Sequence, residues 1–319
     1  MKKIAYIYNI NNKYSYAAKT MANGFKSAFI ERKDSFRFFD ITKLENSFWP
    51  DEKFKLAAYA PDIIFVSVEN IPYIPLNLLK STKIVLWGSF YSVCDYDLKI
   101  PVVTEKAKQA VKKYSKKHQM LICSVYEESI NERFFSGYKK DLGLNLIHLL
   151  HCADKTKYAA PLSNPEFDFL WIGNIGQSTT AYNSFIQPLK KSLPNYLEYN
   201  EHNMISRETI ESKLYYSRSF ITPNIHTEIE IKNKMLLNEM VFKSSMLGGF
   251  QICDNPLAAE LFPEDELIIA TNGDDFLEKA HYYISNPDKR MEMIKRMQEN
   301  ILKNHTYANR IDQILASYS

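Results

Sequence analysis

NEMVFKSSMLGGFQICD, Asn238 to Asp254, decides how this chain is read. Its first half has helical spacing, with Met240, Val241 and Ser244 to Leu247 on an apolar face. Its last part, Phe250 to Cys253, is a short apolar run of strand type. Between them stands Gly248-Gly249, a helix stop that also lets backbone approach something closely. The helix opens on Asn238 and Glu239, with Lys234 before it and Lys243 about one turn inside. A helix start carries unpaired N–H groups and partial positive charge, and so takes phosphate readily. Asn238 suits a cap or a ligand oxygen, and a carboxylate such as Glu239 accepts two hydroxyl hydrogen bonds from a diol. The same residues also serve as ordinary caps and dipole complements, so spacing alone leaves both uses open.

The helix–strand alternation extends outward in both directions. Lys3–Tyr8, Ser35–Phe39, IIFVS after Pro61-Asp62, KIVLWG ending at Gly88, MLICSV from Met120 and LNLIHLL from Leu144 all read as strands with helical segments between most of them. PLSNPEF, Pro161 to Phe167, is a connector with two prolines. The pattern then restarts with FDFLWIGN, YLEYN, FITPNIH, the opening stretch and ELIIA. Helices are expected over Thr180–Lys191, Asp274–Ser285, Pro287–Asn304 and the tail from Tyr307. Alternation of this kind predicts parallel sheets covered on both faces. It occurs twice, so two successive α/β units are expected. Ligands of such sheets bind beyond the carboxyl ends of the strands. That puts the loops after Tyr8, Gly88, Gly173 and His226 on the functional rim.

Composition sets the limits. The chain has 319 residues, enough for two domains, with 45% hydrophobic and 24% charged residues, which reads as soluble and globular. The net charge of +3 gives no global field that demands nucleic acid. Nine glycines make a glycine-rich dinucleotide site a poor fit. Cys94, Cys123, Cys152 and Cys253 form no CxxC pair, and Cys123 and Cys253 lie in apolar runs, so buried thiols are expected rather than zinc. The start of the chain shows no signal peptide, and no run is long and apolar enough to span a membrane. A cytoplasmic protein is the expectation.

From Asn238 onward the motifs NEMVFKSSMLGGFQICD, ELFPEDELIIA, FLEKAHYYISNP and HTYANR resemble the C-terminal part of the CgeB-like, group 1 glycosyltransferases of the GT-B fold. FDFLWIGN is similar to the strand and loop that open their second domain, and HLLHCAD, His148 to Asp154, to their linker. The resemblance carries good motifs over about half of the chain, and the order of elements extends it to the rest. It implies two Rossmann-like domains facing across a cleft: residues 1–158 on the acceptor side, 159–300 binding a nucleotide sugar, and 301–319 as a C-terminal helix packing back on the first domain. It implies sugar transfer from a nucleoside-diphosphate sugar to a glycan, lipid-linked or protein acceptor in bacterial surface polysaccharide or coat synthesis. The donor residues it implies are Gly173, Asn174, Asn224, His226, Lys234, Asn238, Glu239, Lys243, Gly248 and Gly249. Glu239 falls to the ribose or sugar hydroxyls and Lys243 to the diphosphate. The chain departs from many relatives at Met240, where they carry arginine, which removes one cationic contact.

The chemistry needs no metal and no bound cofactor, because helix N–H groups and a lysine can hold the charge that develops on the leaving diphosphate. The nearest approach to a DxD metal motif is Asp95 to Asp97, in the rim loop of the first domain. Asp95 is the candidate base if the reaction inverts, against the plainer use as a solvated loop carboxylate. Tyr14, Tyr16 and Tyr91 are acceptor-side candidates for stacking on a sugar. His148 and His151 are three apart, which in a strand puts them on opposite faces rather than on one metal. Lys106 to Lys117 holds six lysines. Its ordinary use is a solvated helix face, and its sharper one is peripheral contact with anionic lipid at the inner face of a membrane. Two other functions compete: transfer onto modified nucleic-acid bases, and a non-catalytic nucleotide-binding or interaction protein with the same fold.

Overall fold

The computed structural model describes residues 1–10, 16–46, 50–91, 102–125, 128–176, 179–200, 202, 207–232 and 237–318. The chain divides into two compact units, Met1–Leu150 with Tyr307–Ser319, and His151–Thr306.

The first unit holds six strands: β1 (Lys3–Tyr8), β2 (Ser35–Asp40), β3 (Ile63–Ser67), β4 (Lys83–Trp87), β5 (Met120–Ser124) and β6 (Leu146–His148). Their order is β2-β1-β3-β4-β5-β6, and every neighbouring pair is parallel. The central runs are apolar at successive positions because both faces are covered: Ile63 to Val66 and Ile84 to Leu86 are all buried. The final helix, Tyr307–Ala316, belongs to this unit. It lies on the helix Tyr16–Glu31, where Tyr307 meets Phe25 edge to face with ring centroids 5.0 Å apart. Gly24 allows that approach, since a Cβ there would fall 2.0 Å from the Tyr307 ring.

The second unit holds β7 (Phe167–Ile172), β8 (Tyr196–Tyr199), β9 (Ser219–Asn224), β10 (Gln251–Cys253) and β11 (Ile268–Ile269), again all parallel, in the order β11-β10-β9-β7-β8. Its core includes Phe169, Ile186, Ile221, Ile252 and Phe276, all fully buried, each such side chain contributing about 1.5–3 kcal/mol. A second cluster joins Val241 and Phe242 to Phe262, Met297 and Ile301. The helix Glu239–Met246 is thereby held by its apolar face against the helix Pro287–Asn304.

Every expected strand is present. ELIIA shortens to two residues because Glu266 and Leu267 instead donate to Pro263 O and close a turn. The helix expected over Thr180–Lys191 widens into a π-turn at Tyr182–Ile186 just before Pro188, which has no N–H to continue the ladder. In each sheet the first strand of the unit sits between the second and the third. That reversal, between β7 and β9 in the second unit, is the place where sheets of this kind bind ligands, beyond the carboxyl ends of the strands.

Candidate functional site

Beyond the carboxyl ends of β9 and β10 a chain of amides ties strands to helix. Asn238 caps the helix Glu239–Met246, its side-chain oxygen accepting from Met240 N at 3.0 Å. Its Nδ2 donates to Asn224 Oδ1 at 3.0 Å. Asn224, the last residue of β9, donates onward to Gln251 Oε1 at 2.9 Å. Gln251 Nε2 then donates to Val241 O and Ser245 Oγ, each at 2.7 Å, inside the same helix. Asn224 and Gln251 are buried, so each amide needs these partners and the network fixes the helix start against the sheet edge. Glu239 is the first helical residue, half-buried, with its charge favoured there by the helix dipole.

His226 follows two residues beyond Asn224, at the same edge, and is fully buried. Asp254, the residue after β10, grips it twice. Its carboxylate accepts from His226 N at 3.0 and 3.1 Å and from the ring Nδ1 at 2.7 Å. A carboxylate accepts only, so Nδ1 carries the proton. Burial disfavours the imidazolium, but the hydrogen bonds to Asp254 and Cys253 outweigh it and raise the His226 pKa to about 10. His226 Nε2 is buried and has no hydrogen-bond partner among the described residues. Among the described residues His226, Cys253 and Asp254 form the one group with donor atoms close enough to hold a metal, all within 4.8 Å. Their atoms are already engaged: Asp254 on His226, and Cys253 Sγ by Asn255 N at 3.4 Å. A metal would have to displace the Nδ1 proton.

The structure thus brings Asn224, His226, Asn238 and Glu239 together. Gly173 and Asn174 follow β7, the neighbour of β9, with Gly173 N donating to Tyr199 O at 3.1 Å. Lys243 has another partner: its ammonium lies 2.6 Å from Glu211 Oε1, with both side chains only about one-tenth exposed. Gly248 and Gly249 stand at the opposite end of the helix from Asn238, roughly 12 Å away for eight residues. There Gly248, at φ +78°, packs on the Ala159 and Ala160 carbonyls, which a Cβ would meet at 3.0–3.1 Å. Met240 is half-buried against Leu170, Tyr216 and Leu247, and its sulfur accepts from the Tyr216 hydroxyl at 3.9 Å.

In the first unit Tyr91 donates its hydroxyl to Asp141 Oδ2 at 2.7 Å, and its ring lies under Lys108. Tyr16 opens its helix, but its side chain lies outside the described residues, as do Tyr14, Asp95 and Lys234. Of the Lys106–Lys117 lysines, Lys106 lies over Tyr73, Lys113 over Tyr114, Lys108 pairs with Glu105, and Lys117 donates to Leu79 O. Lys112 and Lys116 are exposed. Among the described residues no helix is long and apolar enough to cross a membrane.

Sequence reasoning missed Gln251, Asp254 and Glu211 as members of this region. Gln251 carried a usable signal, a lone amide inside an apolar strand. Asp254 stood in the quoted motif without a role, and nothing local marked Glu211 as the partner of Lys243.

Residues 159–316 match a family model described as glycosyl transferase-like. Many solved structures are similar to the chain, three of them as follows. An α-glucosyltransferase in complex with UDP and a 13-mer DNA containing an HMU base has TM-score 0.60 and 11% identity, covering 99% of this chain and 98% of that one. The T4 phage β-glucosyltransferase has TM-score 0.56 and 12% identity, covering 94% of each. A putative UDP-N-acetylglucosamine 2-epimerase from Listeria monocytogenes has TM-score 0.52 and 10% identity, covering 99% of this chain and 95% of that one. At such identities the likeness shows the fold, which is GT-B. No curated protein sequence matches the chain.

Proposed function

Residues 159–316 belong to the glycosyl transferase-like family, and from that premise we propose that the chain transfers a sugar from a nucleoside-diphosphate sugar to a glycan, lipid-linked or protein acceptor. The observation that carries this reading is the Asn224–Asn238 bond, which sets a capped helix start at the carboxyl edge of β9, beside the sheet reversal. The diphosphate is assigned to that helix start and to the Gly173–Asn174 loop, and Glu239 to hydroxyls of the ribose or sugar. In the reaction the bond from the anomeric carbon to the diphosphate oxygen breaks. The acceptor oxygen bonds to that carbon, and its proton passes to a base. The enzyme's contribution is to hold the charge left on the diphosphate, which the helix N–H groups do without a metal.

A second acceptor class has its own support. The α-glucosyltransferase of similar fold is seen with DNA carrying an HMU base, so a modified nucleic-acid base is an alternative acceptor. The net charge of +3 argues against a broad phosphate-binding face.

The test is direct. Purified protein is incubated with UDP-, GDP-, ADP- and dTDP-sugars, and nucleoside diphosphate release is followed with and without chelator. Release, accelerated by glycan or lipid-linked acceptors, is expected, at a rate that chelator leaves unchanged. Acceleration by hydroxymethyl-base DNA instead would select the second acceptor. Binding without release would make the protein a non-catalytic binder, and neither binding nor release would sink the proposal.

A further inference from the structure

Asp254 and the ring of His226 form a two-point clamp with one atom left over. The backbone N–H and the Nδ1–H of His226 both end on the Asp254 carboxylate, at 2.7–3.1 Å. With those two bonds made, the ring has no rotation left, and the position of Nε2 is set by the backbone of β9 and β10. That atom is buried and unpartnered among the described residues. A buried polar atom without a partner is costly, and in native sites it marks a group that something else completes. His226 lies two residues past Asn224, which holds the cap of the Glu239 helix, and Asp254 follows Cys253, the register partner of Asn224. The orphan atom therefore belongs to the same strand edge as the helix start.

Resting on the reading above, we propose that Asp254 is a positioning residue that holds His226 as a charged donor, and that His226 Nε2–H binds an anionic oxygen of the donor's diphosphate. The chemistry fits the place. An imidazolium offers a directed N–H and a positive charge, and a phosphate oxygen accepts both. A histidine kept charged by a buried carboxylate does this throughout the neutral range, which a free histidine does not. The raised pKa of His226 agrees with that state. The nucleoside has no anionic oxygen, so the contact should distinguish diphosphate from nucleoside.

Calorimetry tests it with UDP, GDP, ADP and dTDP and with the matching nucleosides as probes. His226→Asn keeps a donor near Nδ1 and removes Nε2. It should weaken the diphosphate that wild type binds by tenfold or more and leave its nucleoside unchanged. His226→Gln returns a neutral donor near Nε2 and should recover part of that loss. Asp254→Asn should also weaken the diphosphate selectively. Nitrogen-15 spectra of the wild-type imidazole, which need no variant to fold, should show both ring nitrogens protonated at neutral pH and Nε2 shifting most when diphosphate is added. Wild type that binds no nucleoside diphosphate at all would overturn this contact together with the reading it rests on. Wild type that binds while folded His226→Asn binds as tightly, or with Nε2 unmoved, would overturn the contact alone. Equal losses for nucleoside and diphosphate would make the clamp structural and overturn it as well.

Discussion

Asn238 donates its side-chain amide to Asn224 across 3.0 Å, so one bond joins the start of a helix to the end of a strand. The same Asn238 caps the helix through Met240 N. Asn238→Ala removes both contacts and should destabilise the second unit by about 0.5–2 kcal/mol for the cap, with more for the Asn224 oxygen left buried and unpaired. Asn238→Asp keeps the cap and loses the donor, so it should fall between. Urea unfolding followed by circular dichroism checks the order. An alanine variant as stable as wild type would show that the helix start is fixed by its apolar face alone.

Lys243 and Glu211 meet at 2.6 Å with little solvent around either. Breaking such a pair from one side leaves an unpaired buried charge. Lys243→Met should cost about 3 kcal/mol, near the low end for a broken buried pair. Lys157, 3.7 Å from the other Glu211 oxygen, supplies partial compensation. Adding Glu211→Gln to Lys243→Met should recover most of the loss. Diphosphate affinity of that folded double variant is expected to match wild type. A collapse of affinity without a loss of stability would instead make Lys243 a ligand contact.

The strands were legible because each is an apolar run buried on both faces, and Asn238 because a cap precedes its helix in sequence. The site's finer wiring was not, for a geometric reason. Glu211 reaches Lys243 from a different helix, and Asp254 reaches His226 from the neighbouring strand. A single sequence carries no trace of such pairings. Gly248-Gly249 shows the same limit. A glycine pair signals a close approach, but the backbone that Gly248 meets is at Ala159 and Ala160, and Gly249 meets Ser244 and Thr222, partners that spacing could not place.

Gly24 and Tyr307 give a packing test in the first unit. A Cβ at residue 24 would lie inside contact distance of the Tyr307 ring, whose side chain is buried. Gly24→Ala should therefore cost about 1–3 kcal/mol through overpacking, even though alanine favours a helix more than glycine. In a Tyr307→Ala background the same substitution should become neutral or mildly stabilising. Thermal melts of the four proteins give the coupling. If the two costs simply add, Tyr307 does not rest on Gly24.

The charge on His226 predicts a pH dependence of stability. Its pKa is raised to about 10 in the folded chain, through Asp254 and Cys253 acting against burial. In the unfolded chain it returns to roughly 6.5. The folded state then holds a proton that the unfolded state releases. The stabilisation is complete below about pH 6.5 and is lost as pH rises toward 10, at up to about 1.4 kcal/mol per pH unit. His226→Gln lacks this linkage. Its stability deficit relative to wild type should be largest near pH 6 and should shrink steadily as pH approaches 10, while tyrosine and lysine titrations common to both proteins cancel in the difference. Urea unfolding of the pair at four or five pH values measures it. A deficit that stays constant over that range would mean that the buried imidazole is neutral, with Asp254 holding its orientation and not its charge.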